Sequence, residues 1–396
     1  MTKLRTPAFF VTAVLAAHFF AGRLSGGTIG YVQQNLVSDL PGVAGHTDPN
    51  LVNPWGMAFS STTPIWVSDN GSGLSTLYTG SGVPQSLVVS IPNPFGGQSA
   101  PTGVVFNSGA DFKADRFIFA TEGGTIAGWQ SGTSAVTEAI TPDAVYKGLA
   151  LGTTGGALEL FAANFAAGTV DVFNNAYTQI PVVGGFTDPN LPAGYAPFNI
   201  VNLGNLLYVT YAQQDSAKHD DVPGAGHGFV DVFSTNGALV GRLISRGALD
   251  SPWGIALAPA SFGPLGGDLL IGNFGDGTIN AFNPTSGAFL GTLSDTSGNP
   301  IVNQGLWGLA FGNGAQGTSM GTLYFTAGIP GPDDIEDHGL FGSLTNAPEP
   351  ATTALIAAGL ATILWRRMQS GYNRMHGRKT DESGSGGSGC VQRDWA

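Results

Sequence analysis

A short motif that returns six times along the chain constrains its fold more than any other feature. The motif opens on a small, polar or proline residue, passes through Gly or Asn, and closes on alternating apolar residues. The first three copies are Asn53-Pro54-Trp55-Gly56-Met57-Ala58-Phe59, Ala100-Pro101-Thr102-Gly103-Val104-Val105-Phe106 and Tyr146-Lys147-Gly148-Leu149-Ala150-Leu151. The last three are Ala196-Pro197-Phe198-Asn199-Ile200-Val201, Ser251-Pro252-Trp253-Gly254-Ile255-Ala256-Leu257 and Gly305-Leu306-Trp307-Gly308-Leu309-Ala310-Phe311. The aligned Gly or Asn positions step by 47, 45, 51, 55 and 54 residues. Each copy is followed by a second apolar run, such as Ile65-Trp66-Val67 or Phe117-Ile118-Phe119. A third run often opens on Gly-Thr, as in Thr169-Val170-Asp171-Val172-Phe173, and a weaker fourth follows, as in Leu239 to Ile244.

Short β-rich runs broken by Gly, Asn and Asp are strands joined by turns. Four strands in each of six units predict an all-β chain folded as a six-bladed β-propeller. The sixth copy runs out near Leu344 after three strands. Tyr31 to Val37 reads as a strand ahead of the first copy, so the expected ring is closed by this N-terminal strand, which covers the free edge of the last blade. Only 11% of the residues are charged, which excludes a charged helical bundle, and 42% are hydrophobic, which excludes disorder over the whole chain.

The two ends read differently. Residues 1–27 carry Lys3 and Arg5, an apolar stretch from Ala8 to Ala21 and then small residues, the order of a secretory signal peptide. Near the other end Pro348, Glu349 and Pro350 precede an apolar run, Ala351 to Trp365, and then Arg366 and Arg367. The expected organisation is a signal peptide at 1–27, the propeller at 28–346, a membrane or sorting helix at 347–367 and a disordered Gly/Ser-rich tail at 368–396. The span 28–346 holds 6 Lys and Arg against 23 Asp and Glu, so no nucleic-acid partner is expected. The single cysteine, Cys390, lies in the tail, so the propeller has neither disulfide nor thiol chemistry.

The order Pro-Glu-Pro, apolar helix, Arg pair resembles the PEP-CTERM sorting signal of Gram-negative bacteria. That resemblance implies an exosortase-type processing enzyme as a partner and contact with the membrane through the C-terminal segment. It also implies export to the periplasm, the outer surface or the extracellular matrix. Such signals end at their Arg cluster, whereas this chain continues to Ala396. The body of the chain resembles six-bladed NHL-like propellers, and more closely a bacterial family of secreted propellers that often carry such tails. The matching residues are Asn35-Leu36-Val37-Ser38-Asp39, Asn53-Pro54-Trp55-Gly56, Lys218-His219-Asp220-Asp221, Gly228-Phe229-Val230-Asp231-Val232-Phe233 and His338-Gly339-Leu340-Phe341-Gly342-Ser343-Leu344. The resemblance implies fold and export, and no reaction.

Strand alternation puts the loops between second and third strands on one face, with the connections between blades. Two of these loops are long, and they carry His219, Asp220 and Asp221, and Asp333, Asp334, Glu336, Asp337 and His338. The short equivalents carry Asp69, Glu122, Asn164, Asn273 and Asp276 as candidate ligands at the channel mouth. All four histidines of the span 28–346, His46, His219, His227 and His338, fall on this face. Clustered carboxylates and amides suit Ca2+, and histidine beside Asp suits another divalent metal. Six-bladed sugar-lactonase propellers hold a divalent ion with similar residue types, though this chain lacks a matching spacing. Turn preference accounts for the same residue types without any ion. The repeated Trp55, Trp253 and Trp307 are expected to pack between blades, and the aligned glycines to allow close backbone approach near the channel. Lys147 and Asn199 depart from that pattern and mark an asymmetric part of the channel.

Gly317-Thr318-Ser319-Met320-Gly321 matches a nucleophile-elbow string but lies in a Gly-rich loop rather than a strand-to-helix turn. The function expected first is therefore an exported cell-envelope binding or interaction module, for extracellular polysaccharide or a protein partner. The alternative is a divalent-metal-dependent hydrolase or lyase of lactonase type with its site at the channel mouth. The first is favoured because no catalytic spacing is visible and a fold alone implies no function.

Overall fold

A computed structural model describes residues 30–332, 334–347, 362–363 and 365–367 of the chain. The expected signal peptide at 1–27, Asp333, the Pro348-Glu349-Pro350 triplet and the tail at 368–396 lie outside the described residues. Arg366 and Arg367 fall in helical residues. Among the described residues no helix is long and apolar enough to cross a membrane.

Six sheets form the blades, as the repeat predicts: five are antiparallel with four strands, and the sixth has a fifth, two-residue strand, His46–Thr47, paired parallel with the end of Tyr31–Ser38. Their inner strands are Pro54–Ala58, Pro101–Phe106, Tyr146–Thr154, Tyr195–Leu203, Pro252–Leu257 and Leu306–Phe311. Second strands follow at Ile65–Asp69, Phe117–Thr121, Ala157–Asn164, Leu206–Gln213, Leu269–Asn273 and Thr322–Ala327. The outer strand of blade six is the N-terminal Tyr31–Ser38, which pairs antiparallel with Leu340–Asn346 from Tyr31 opposite Asn346 to Ser38 opposite Leu340. The ring therefore closes through hydrogen bonds between the two ends of the propeller, and the third strand of the last blade is left with no bare edge.

Both faces of every blade are buried, because each packs on two neighbours. The hydrophobic core accordingly falls into six clusters between adjacent blades and one on the axis. Trp66 of blade one, for example, stacks on Phe117 of blade two with ring centres 4.0 Å apart. Strand alternation decides which neighbour a side chain meets. Ile65, Val67 and Tyr78 face blade six, while Trp66 and Leu77 face blade two.

Inner strands crowd at the axis, and the aligned glycines make that possible. A β-carbon on Gly56 would stand 2.6 Å from the Thr102 carbonyl oxygen, and one on Gly148 would stand 2.6 Å from the Asn199 Cα. Blade four carries Asn199 at this ring position instead of glycine. Its side-chain nitrogen donates to the Trp253 carbonyl at 2.7 Å, so a hydrogen bond joins blades four and five where glycine contacts join other pairs.

Candidate functional site

The residue before each ring position points to the axis on the side of the long loops. Blades one, five and six supply Trp55, Trp253 and Trp307. These blades are neighbours in the closed ring, and the rings pack blade against blade, as expected, where they meet at the axis. Trp55 stacks on Trp307 at 3.5 Å, Trp253 meets Trp307 edge-on at 5.8 Å, and Phe274 stacks on Trp307 at 4.1 Å. With Phe165, Phe198 and the half-buried Ile335 they form an aromatic plug that closes the channel. All three indoles are buried, so none offers a face to a ligand.

Blade three contributes Lys147 instead of an aromatic ring. Its side chain is only 2% exposed, and its ammonium binds Glu122 and, at 3.3 Å, Asp220. It also sits 5.0 Å from the centre of the Trp55 ring, a cation–π geometry. Burial acts to discharge such a lysine, but the charges of Glu122 and Asp220 outweigh it and hold the ammonium above its ordinary pKa. The other oxygen of Glu122 accepts from the Asn70 amide at 3.0 Å. Asn53 donates to Glu336 at 2.8 Å and accepts from the Trp307 indole at 3.1 Å. One cation, three carboxylates and two amides thus form a connected layer directly over the plug.

The carboxylates differ in their electrostatics. Burial lifts Glu336 to about 7, opposed by the Asn53 hydrogen bond and reinforced by the Glu122 charge. Burial also lifts Asp221 to about 6. For Asp220 the burial effect is outweighed by Lys147 and His219, and its pKa falls. His219 Nδ1 lies 2.9 Å from Asp220.

Of the residues the sequence singles out, Glu122, His219, Asp220 and Glu336 gather around Lys147. Asp221 lies beside them, and Lys147 lowers its pKa against the pull of burial. The remaining candidates sit elsewhere. His338 pairs with Asp39 at 2.6 Å, and Asp39 also accepts from the Gly339 amide at 2.8 Å. Asp337 accepts from the Asp334 amide at 2.9 Å, which fixes the turn of the blade-six loop. Asp276 accepts from Asn273 and from the Thr278 amide and hydroxyl. Asn164 bonds Asp171 and the Val145 and Ala167 amides. Asp69 is wholly buried inside the ring. Sequence reasoning placed Asn70 on this face beside Asp69, but it missed Lys147 as a site residue, although its break in the aromatic column was visible, and it missed Asn53 and Asp39.

One ligand atom each from Glu122, His219 and Asp220 lies within 4.8 Å of the others, a spacing able to grip a divalent ion. Two of these three already bind the Lys147 ammonium. Beside them opens a pocket of 240 Å³ whose polar lining includes Asn93, Gln98, Ser99, Thr121, Glu122 and His219. A wider groove of 570 Å³ lies at the opposite end of blades one and two, away from the acidic loops, with Arg116 on its wall.

Comparison with known proteins adds the address and the relatives. Residues 346–367 match the family model of the PEP-CTERM protein-sorting motif. The chain therefore carries a signal for export and membrane-associated sorting, which implies processing by an exosortase-type system. An uncharacterized protein of Acanthamoeba polyphaga mimivirus is 33% identical over 328 residues, covering 78% of this chain and 78% of that protein. A second uncharacterized mimivirus protein is 32% identical over 330 residues, covering 78% of this chain and 84% of its own length. Among solved structures, a structural-genomics protein of unknown function from Bacteroides thetaiotaomicron superposes with a TM-score of 0.50 at 11% identity. That match covers 80% of this chain and 76% of the other and shows the fold alone.

Proposed function

The chain belongs to the same protein family as these two mimivirus proteins, and on that premise we propose that it is an exported cell-envelope β-propeller acting as a binding module for a hydroxyl-rich ligand, a segment of extracellular polysaccharide. The observation that carries this reading is the 240 Å³ pocket lined by amide, hydroxyl, carboxylate and imidazole groups at the rim of a plugged channel. Amides and hydroxyls exchange hydrogen bonds with sugar hydroxyls in both directions. The plug and the paired Lys147 supply a rigid floor beside it.

A second reading is a divalent-metal-dependent hydrolase or lyase, supported by the Glu122, His219 and Asp220 spacing. It ranks below the first because an ion at that point would lie against a buried ammonium of like charge. Sorting belongs to the same proposal. The signal at 1–27 is removed on export, and the segment at 347–367 is handled by an exosortase-type enzyme, leaving the propeller in the periplasm or at the outer surface. The mass of the protein recovered from the envelope tests that step.

Binding is tested by electrophoresis of the full chain through gels that contain acidic or neutral bacterial polysaccharides. Retardation of the wild type, lost in Asn93→Ala, Gln98→Ala and His219→Ala, supports a binding module. Retardation unaffected by all three substitutions would count against the pocket. Turnover of a lactone or ester that needs a divalent ion and disappears in His219→Ala would favour the second reading.

A further inference from the structure

The connections that enter blades one and four contain the same five residues, Thr47-Asp48-Pro49-Asn50-Leu51 and Thr187-Asp188-Pro189-Asn190-Leu191. The two aspartates make the same local bond: Asp48 accepts from the Asn50 amide at 3.0 Å and Asp188 from the Asn190 amide at 2.8 Å. Each then turns its second oxygen toward the blade it introduces. In blade four that oxygen meets Arg242, whose Nε also reaches Asp231 at 3.3 Å. Asp231 lies opposite Arg242 in the strand register, so two buried carboxylates share one guanidinium.

Blade one keeps the first carboxylate, has Thr76 at the register position of Asp231, and lacks the guanidinium. Asp48 accepts from the Tyr78 hydroxyl at 3.0 Å. The second carboxylate is Asp69, at the end of the second strand, on the face shared with Val67 and Tyr78 that meets blade six. Asp69 is 0% exposed, and although Thr76 stands beside it, neither of its oxygens has a well-formed hydrogen bond. The buried hydroxyl of Thr76, on the same face of the third strand, has none either. Burial, opposed by the hydroxyl and amide of Thr76 and reinforced by the charge of Asp48, pushes the Asp69 carboxyl well above the usual range. The outer strand here is Val89–Ser90, with Val89 opposite Ser75, so no basic side chain stands where Arg242 stands in blade four. Among the described residues no ion pair involves Asp48 or Asp69.

We propose that Asp48, Asp69 and Thr76 form an internal Ca2+ site between blades six and one, where the ion takes the part that Arg242 plays between blades three and four. The donors are all oxygens, which suits a hard cation, and two carboxylates balance a charge of +2. Backbone carbonyls and enclosed water complete the 6–8 oxygen ligands that Ca2+ takes. A proton on Asp69 would let it hydrogen-bond to Thr76 but would leave the charge of Asp48 without a counterion, whereas an ion coordinates Asp48, Asp69 and Thr76 together. The site is distinct from the channel mouth, where Lys147 already supplies the positive charge.

The test uses the full chain, freed of metal with a chelator and returned to about 1 mM CaCl2, the range of extracellular Ca2+ modules. Bound metal is measured by mass spectrometry, and melting temperature is compared with and without EDTA. The wild type is expected to hold one Ca2+ per chain and to melt lower in EDTA. Asp69→Asn is expected to lose both the ion and the EDTA effect, whereas Asp220→Asn, at the mouth, keeps both. A wild type without Ca2+, an Asp69→Asn protein that retains it, or loss of the ion in Asp220→Asn would each overturn the proposal. Should Asp69→Asn fail to fold, Thr76→Val removes one ligand oxygen and is expected to weaken Ca2+ binding by about tenfold or more. Unchanged affinity in that variant overturns the site as well.

Discussion

The Lys147 ammonium lies 5.0 Å above the Trp55 ring while bound to Glu122, which ties the acidic loops of the mouth to the aromatic plug of the axis. Lys147→Met keeps the length of the side chain and removes its charge, so the partly buried Glu122 is left without its cation. Breaking a buried pair in this way costs about 3–5 kcal/mol. Lys147→Met with Glu122→Gln removes both charges and is expected to recover much of that loss. Denaturant unfolding of the two single variants and the double variant checks this, and strictly additive losses would refute the coupling.

Glu336 gives the mouth a pH dependence with a definite sign. Its folded pKa of about 7 exceeds the ordinary 4.5 because burial disfavours the carboxylate. The folded protein therefore binds more protons than the unfolded chain between those values. The stabilisation from protonated Glu336 is complete below about pH 4.5 and is lost as the pH rises through 7. Over that window it amounts to about 3 kcal/mol at most. Unfolding free energies from pH 4 to 8 should fall less steeply for Glu336→Gln than for the wild type, since the amide cannot ionise. Parallel curves would show that Glu336 does not titrate in this window.

The ring was legible in the sequence because its cause is periodic. Each strand buries two faces, each blade needs the same turn residues, and the last unit visibly lacked a strand that Tyr31 to Val37 could supply. The mouth was legible only in part, because membership turns on a shift of one residue. Asp69, Asn164 and Asn273 are the last residues of their second strands and turn into the blades. Glu122 follows the end of its strand, Phe117–Thr121, and so reaches Lys147. Composition treats these four as equivalent loop polars, whereas strand alternation separates them. Lys147 stood out as an exception, but its partners come from blades two and four and are adjacent only after closure.

Gly148 should tolerate no side chain. Its β-carbon would lie 2.2 Å from Asn199 Oδ1 and 2.6 Å from the Asn199 Cα. The second contact is with backbone, which cannot swing aside. Gly148→Ala is therefore expected to destabilise at the upper end of overpacking costs, about 3 kcal/mol. Asn199→Gly removes the bond to the Trp253 carbonyl and should cost about 1 kcal/mol. Adding Asn199→Gly to Gly148→Ala should not restore stability, because the backbone contact persists. Full recovery in the double variant, read from thermal melts, would place the clash in the Asn199 side chain alone.

Removing residues 1–38 tests how far the closing strand carries the ring. Its pairing with Leu340–Asn346 extends from Tyr31 to Ser38, and Tyr31, Leu36 and Val37 are buried against blades five, six and one. Without them the third strand of blade six becomes a free edge with unpaired amides and carbonyls, and the apolar seams on both sides open. An exposed edge of this kind recruits other chains. The truncated protein is expected to elute as oligomers or aggregate and to lose its cooperative melt. A synthetic peptide of Tyr31–Ser38 should restore part of the monomer by adding the strand back. A truncated chain that stays monomeric and melts like the full one would mean that the blade packing alone holds the ring closed.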